Sequence, residues 1–218
     1  MKNNIPELVF ILDKSGSMFG YEADTVGGFN STIEKQKAQE GKVYVSTVLF
    51  NSRSEVVHDR VDISEIKPMT EEAYQVGGST ALLDAVGSAM HHIGNVHKYA
   101  RPEDVPEHTV FVIMTDGMEN ASMRYSADTV KELIKIRTER DGWEFIFLAA
   151  NIDAVSAASN IGISRERAAK YTQTSEGIDR SYRVASSAIS YFRRADRSMP
   201  REMDLSRLME DDQESIQK

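Results

Sequence analysis

Three stretches of this chain, Leu8-Val9-Phe10-Ile11-Leu12, Val110-Phe111-Val112-Ile113-Met114 and Phe145-Ile146-Phe147-Leu148-Ala149, are apolar at every position. A strand with one wet face alternates apolar and polar side chains, so unbroken runs of this kind describe strands covered on both faces by helices. Helical patterns lie between them. Val26, Phe29, Ile33 and Lys37 recur at helical spacing over residues 22 to 40, with Gly41 as the stop. A second helix is predicted over 81 to 99, closed by Arg101-Pro102 and Pro106, and a third over 126 to 140 with Ser126 as its cap. Residues 43 to 50 and 55 to 61 are β-rich and separated by Asn51-Ser52-Arg53-Ser54, which predicts a hairpin, and 62 to 79 read as connection. A short strand near 169 to 172 and a last helix over 177 to 194 bring the count to six strands. Asn151-Ile152-Asp153 follows the run at Phe145 and reads as the cap of a short helix. The alternation predicts a doubly wound α/β domain with a mostly parallel sheet, whose ligands sit beyond the carboxyl ends of the strands.

Chemistry gathers where two of those runs stop. The first leads into Asp13-Lys14-Ser15-Gly16-Ser17-Met18, which delivers a carboxylate and two hydroxyls on a turn that Gly16 allows to be tight. All three groups are hard oxygen donors, the type that Mg²⁺ or Mn²⁺ prefers. The run from Thr109 to Thr115 stops in the same way, at Asp116-Gly117. Between the two lies Gly77-Gly78-Ser79-Thr80, a flexible turn opening the helix that carries Ala81, Leu82, Leu83 and Val86, so that Thr80 is either its N-cap or a ligand.

With Asp13, Ser15, Ser17, Thr80 and Asp116 in this order and spacing, the chain resembles the von Willebrand factor type A (VWA) family and its metal-ion-dependent adhesion site, D-x-S-x-S…T…D, over roughly residues 5 to 195. The resemblance implies a VWA domain over 1–195, with helices on both faces of a six-stranded sheet and the second hairpin strand as one antiparallel edge. It also implies one divalent ion above the sheet, used to grip an Asp or Glu carboxylate of a partner protein. In this family Asp116 often acts through a bound water, and intracellular members accompany AAA+ ATPases or stress-resistance assemblies. The residues agree with such an ion: two carboxylates and three hydroxyls only just balance a dication, which stays electrophilic, whereas tight calcium loops supply more carboxylates.

Composition narrows the partner. At 218 residues, 40% hydrophobic and 28% charged, the chain supports one substantial core. A net charge of −8 argues against nucleic acid or an anionic membrane, both of which are held by Lys and Arg. There is no cysteine, hence no disulfide, zinc-thiolate site or thiol catalysis. The segment Met1-Lys2-Asn3-Asn4-Ile5-Pro6-Glu7 meets charge before any apolar stretch, and Leu8 to Leu12 is too short for a signal or a span, so a cytoplasmic protein is expected. The sequons at Asn30 and Asn120 are then chance matches.

Other features carry less. His91, His92 and His97 lack the spacing of a helical metal pair and read as surface or partly buried residues. Lys14 either assists capture of an acidic partner or simply faces solvent. Met18, Phe19 and Tyr21 form an apolar rim beside the ion if exposed and part of the core if they fold inward. Asp84 and Glu119 are candidates to orient waters or hydroxyls around the ligands. Residues 196–218, charged and poor in large apolar groups, read as a flexible tail in which Leu205, Leu208 and Met209 offer at most one amphipathic turn. The rival function is a Mg²⁺-dependent hydrolase or phosphotransferase, but position 15 is a serine where an aspartyl phosphatase needs a second carboxylate. Neither a P-loop nor a G-x-S-x-G elbow is present, so no enzyme is expected. A metal-free scaffold is the third reading.

Overall fold

In the computed structural model, residues 5–194 and 202–216 are described. The apolar runs become the centre of one sheet. β1 (Glu7–Asp13), β2 (Tyr44–Phe50), β3 (Ser54–Asp62), β4 (Thr109–Thr115), β5 (Glu144–Ala149) and β6 (Ala168–Lys170) are ordered β3-β2-β1-β4-β5-β6. Every pairing is parallel except β2 with β3, which makes β3 the antiparallel edge. The helices are α1 (Glu22–Lys37), α2 (Leu82–Tyr99), α3 (Ala127–Ile136), α4 (Ala154–Asn160), α5 (Ser175–Arg194) and α6 (Leu205–Ile216).

Each run feeds two cores at once. Leu8, Phe10, Leu12, Val110, Val112 and Met114 pack with α1 and α5, while their sequence neighbours Val9, Ile11, Phe111 and Ile113 pack with α2, α3 and α4. That double coverage is why no polar residue interrupts them. α1 and α5 approach closely: a Cβ on Gly28 would lie 2.2 Å from Tyr182 Cδ2, so only glycine fits there. Alongside, Gln36 Nε2 donates to the Ser186 carbonyl and to Ser190 Oγ, and Arg193 donates to the Gln36 carbonyl, joining the two helices by polar contacts.

At the end of the sheet where β1 begins, the fully buried Glu7 carboxylate is held by Arg60 Nε at 2.5 Å and His97 Nε2 at 2.5 Å. The other two helical histidines meet Tyr125 and Asp59 rather than each other. Asp153 caps α4 by accepting from Ser156 N, as its position suggested. The third helix is shorter than expected: α3 ends at Ile136 and a π-turn over Arg137–Asp141 follows before Gly142.

The segment expected as a flexible tail contains α6. Leu205 is fully buried and Met203 nearly so, both in the core shared by α1 and α5, with Leu208 and Met209 packed at its edge. Asp212 takes Arg183 at 2.8 Å, and Ser206 Oγ donates to the Ala168 carbonyl. The apolar residues were too few to stabilise a free helix, but here they dock on an existing surface. The remainder of that expectation, at 196–201 and 217–218, lies outside the described residues.

Candidate metal centre

β1 and β4 are adjacent and parallel, so their carboxyl ends bring Asp13 and Asp116 to the same crest of the sheet. Thr115 Oγ1 donates to Asp13 Oδ2 at 2.5 Å, and the other carboxylate oxygen takes the Ser15 amide at 2.8 Å. The turn at Gly16–Met18 then sets Ser15 Oγ and Ser17 Oγ 3.2 Å apart, and Ser17 Oγ donates to Asp116 Oδ1 at 2.7 Å. Thr80 joins from the third loop. A Cβ on Gly117 would sit 3.4 Å from Thr80 Oγ1 and 3.7 Å from Ser17 Oγ, so both hydroxyls border the residue after Asp116. All five oxygen-bearing side chains therefore converge.

The loops are also hydrogen-bonded to one another. Gly16 N donates to the Gly78 carbonyl and Gly77 N to that of Lys14, with Gly78 at φ +77°, a conformation that favours glycine. Thr80 and Asn120 exchange two hydrogen bonds, Thr80 N to Asn120 Oδ1 and Asn120 N to the Thr80 carbonyl. Thr80 is not the cap of α2. That task falls to Glu119, which accepts from Leu83 N and, with its other oxygen, from the amides of Ala121 and Ser122. Asp84 accepts from the amides of Met123, Arg124 and Tyr125. Burial works against its charge, yet these three donors hold its carboxyl below the usual range. Asp84 and Glu119 thus shape the 119–125 loop instead of touching the five oxygens.

Asp13 is 2% exposed and Asp116 1%, and among the described residues neither has a Lys, Arg or His within ion-pair distance. Lys14 is committed to Glu55 at 2.6 Å, tying the first loop to β3. Burial pushes the Asp13 carboxyl above the ordinary carboxylate range despite hydrogen bonds from Thr115 and Ser15, and the charge of Asp116 pushes the same way. Burial likewise raises Asp116, against hydrogen bonds from Ser17 and Gln173. No group of three or more His, Asp or Glu side chains suited to a metal forms among the described residues. A cation at the crest would be held by two carboxylates and by hydroxyls. The donor set fits one: hard oxygens throughout, and two buried negative charges with no protein cation to balance them.

Gln173 was not anticipated. It lies just after β6 and donates from Nε2 to Asp116 Oδ2 at 2.6 Å and to the Ser17 carbonyl at 2.9 Å, while Asn151 donates to its Oε1. Below, the Tyr74 hydroxyl donates to the Asp13 carbonyl and that of Tyr171 to the Thr115 carbonyl at 3.3 Å. Met18 turns inward to the core, Tyr21 is half-buried with its hydroxyl on the Gln173 carbonyl, and Phe19 points to solvent.

A mostly parallel α/β sheet with its acidic, hydroxyl-rich crest at the strand-order switch defines a doubly wound class of folds. Solved structures narrow the class. The vWF domain of the type V pili tip protein Mfa5 from Porphyromonas gingivalis superposes with a TM-score of 0.63 at 11% identity, covering 88% of this chain and 97% of that one. A von Willebrand factor type A protein from Catenulispora acidiphila gives 0.57 at 13% identity, over 85% of this chain and 42% of its own. Proximal thread matrix protein 1 from the mussel byssus, described with a zinc-occupied MIDAS motif, gives 0.53 at 16% identity, over 83% and 46%. The chain thus spans less than half the length of the last two. No protein-family model matches the sequence, and no curated protein matches it. The chain has the von Willebrand factor type A fold.

Proposed function

We propose that this domain is a protein-binding module that depends on a divalent ion, Mg²⁺ or Mn²⁺, held by Asp13, Ser15, Ser17, Thr80 and Asp116, and that it captures an acidic side chain of a partner protein. The observation that carries this reading is the pair of buried carboxylates, Asp13 and Asp116, surrounded by hydroxyls and left without a protein cation. Burying unpaired charge is costly, and an oxygen-preferring dication is the simplest compensation.

Bound there, the ion would supply a concentrated positive charge with a coordination position open to an outside carboxylate. The chain's own residues hold that geometry. Thr115 and the Ser15 amide fix both oxygens of Asp13, Ser17 and Gln173 fix those of Asp116, and the paired backbone bonds of Thr80 with Asn120 fix the third loop. The similar domains of a pili tip protein and a byssal thread matrix protein point the same way. A cysteine-free chain whose described helices are none of them long and apolar enough to cross a membrane agrees with a cytoplasmic setting.

Calorimetric titration with Mg²⁺ or Mn²⁺, set beside affinity capture with and without EDTA, tests the proposal. Asp13→Ala and Asp116→Ala are expected to lose both ion binding and partner capture while the far-ultraviolet spectrum is unchanged. Normal capture by either variant defeats the mechanism.

A further inference from the structure

The four most exposed large apolar side chains among the described residues are Met123 (93%), Phe19 (80%), Tyr99 (79%) and Met118 (71%). Three of them stand on the loops of the crest. Phe19 follows the Gly16–Met18 turn, with its amide on the Gly16 carbonyl, and lies two residues beyond Ser17. Met118 is two residues beyond Asp116, and Met123 belongs to the loop that Glu119, Asn120 and Asp84 fasten to Thr80 and to α2. The positions of Phe19 and Met123 are therefore set by hydrogen bonds. Met18, next to Phe19, is buried, so the inward place in that turn is already taken.

We infer that the crest receives a protein segment in which the captured carboxylate is flanked by apolar side chains, with Phe19, Met118 and Met123 as the apolar contact surface. The inference rests on the ion-held carboxylate proposed above. It adds the neighbours of that carboxylate. Apolar groups gathered on one face mark an interaction surface, and methionine adapts to varied partners while an aromatic ring supplies a rigid contact. Charge points the same way. The chain carries a net −8, so its long-range field repels an acidic segment and leaves attraction to the ion at close range alone. Contact with an apolar rim does not depend on charge, and it selects among carboxylates that the ion by itself would treat alike.

The test uses three capped tripeptides, acetyl-Phe-Glu-Phe-amide, acetyl-Ser-Glu-Ser-amide and acetyl-Phe-Gln-Phe-amide, titrated into the Mg²⁺-loaded full chain carrying methyl-labelled methionine. The inference predicts that Phe-Glu-Phe binds at least about tenfold more tightly than Ser-Glu-Ser, shifting the Met118 and Met123 methyl resonances, and that Phe-Gln-Phe does not bind. A Phe19→Ser, Met118→Ser, Met123→Ser variant, altered only at exposed positions, should bind Mg²⁺ as before yet treat the two Glu peptides alike. Phe19→Ala alone should remove part of the preference. Equal binding of both Glu peptides by the parent chain overturns the inference and leaves the metal reading standing. Binding of Phe-Gln-Phe, or binding that survives EDTA, overturns the ion-held carboxylate and this inference with it. Mg²⁺-dependent self-association in sedimentation, in place of peptide binding, makes a second copy the occupant and also overturns it.

Discussion

Asp116 is held from two sides, by Ser17 Oγ on one oxygen and Gln173 Nε2 on the other, and each contact makes a separate prediction. Asp116→Asn removes a buried charge and keeps an acceptor for Ser17, while its amide nitrogen replaces the acceptor that Gln173 uses, a loss that offsets the relief. Its ion-free stability in urea should stay within about 1 kcal/mol of the parent, while the rise in melting temperature produced by Mg²⁺ disappears. Gln173→Ala leaves all five oxygens in place and frees one carboxylate oxygen to turn. Mg²⁺ affinity should fall about tenfold by calorimetry, with little loss of fold, as expected for groups that orient ligands. The placement of Asp13 and Asp116 at the crest was legible because each follows an apolar run that a strand must deliver there, and that of Ser15 and Ser17 because they sit in the turn after Asp13. On local pattern Thr80 stood open between cap and ligand, since a threonine before a helix looks like a cap, and it joined the candidate set only through the family motif. Gln173, Glu119 and Asp84 were not assigned their roles, because an amide or carboxylate in a loop carries no pattern until the partner amides are in place.

At the scale of elements, α1 and α5 form a close joint. Gly28→Ala drives a methyl into the Tyr182 ring, 2.2 Å from Cδ2, and should cost about 1–3 kcal/mol in urea unfolding, since a well-packed core relaxes only partly. Leu205→Ala should cost about 2–4 kcal/mol if α6 unfolds with the rest, and less if α6 detaches first, which hydrogen exchange of its amides distinguishes. The strands were readable because double burial forbids polar residues in them, and the hairpin because its turn is polar. α6 was not readable. Leu205, Leu208 and Met209 of the helix, and Met203 just before it, lie among charges that look solvated in sequence, and only the Arg183 and Arg180 side chains of α5 show what Asp212 is for. The sequons at Asn30 and Asn120 illustrate the same limit. Asn30 donates to the Met69 carbonyl and Asn120 accepts from Thr80 N, structural tasks invisible to a motif.

For the whole molecule, the raised carboxyls of Asp13 and Asp116 link protons, the ion and stability. Because the folded values lie above those of the unfolded chain, the folded state binds more protons between the two. The stability this pair contributes is complete below the ordinary value near 3.8 and is lost as pH rises through the raised native values. A dication competes with those protons. The stabilisation gained from Mg²⁺ should therefore grow as pH rises from about 4.5 to about 7.5, measured as the difference in melting temperature with and without EDTA. A Mg²⁺ effect that does not vary over that range rules out the coupling. One further property follows from the acidic clamps on the 119–125 loop. Glu119 and Asp84 seat their carboxylates on six backbone amides, those of Leu83, Ala121, Ser122, Met123, Arg124 and Tyr125, so the loop is held in one shape by the chain itself. A visitor then meets a stiff receptor and forfeits little motional freedom of its host, which favours quick docking on a surface with one fixed outline over slow moulding to many.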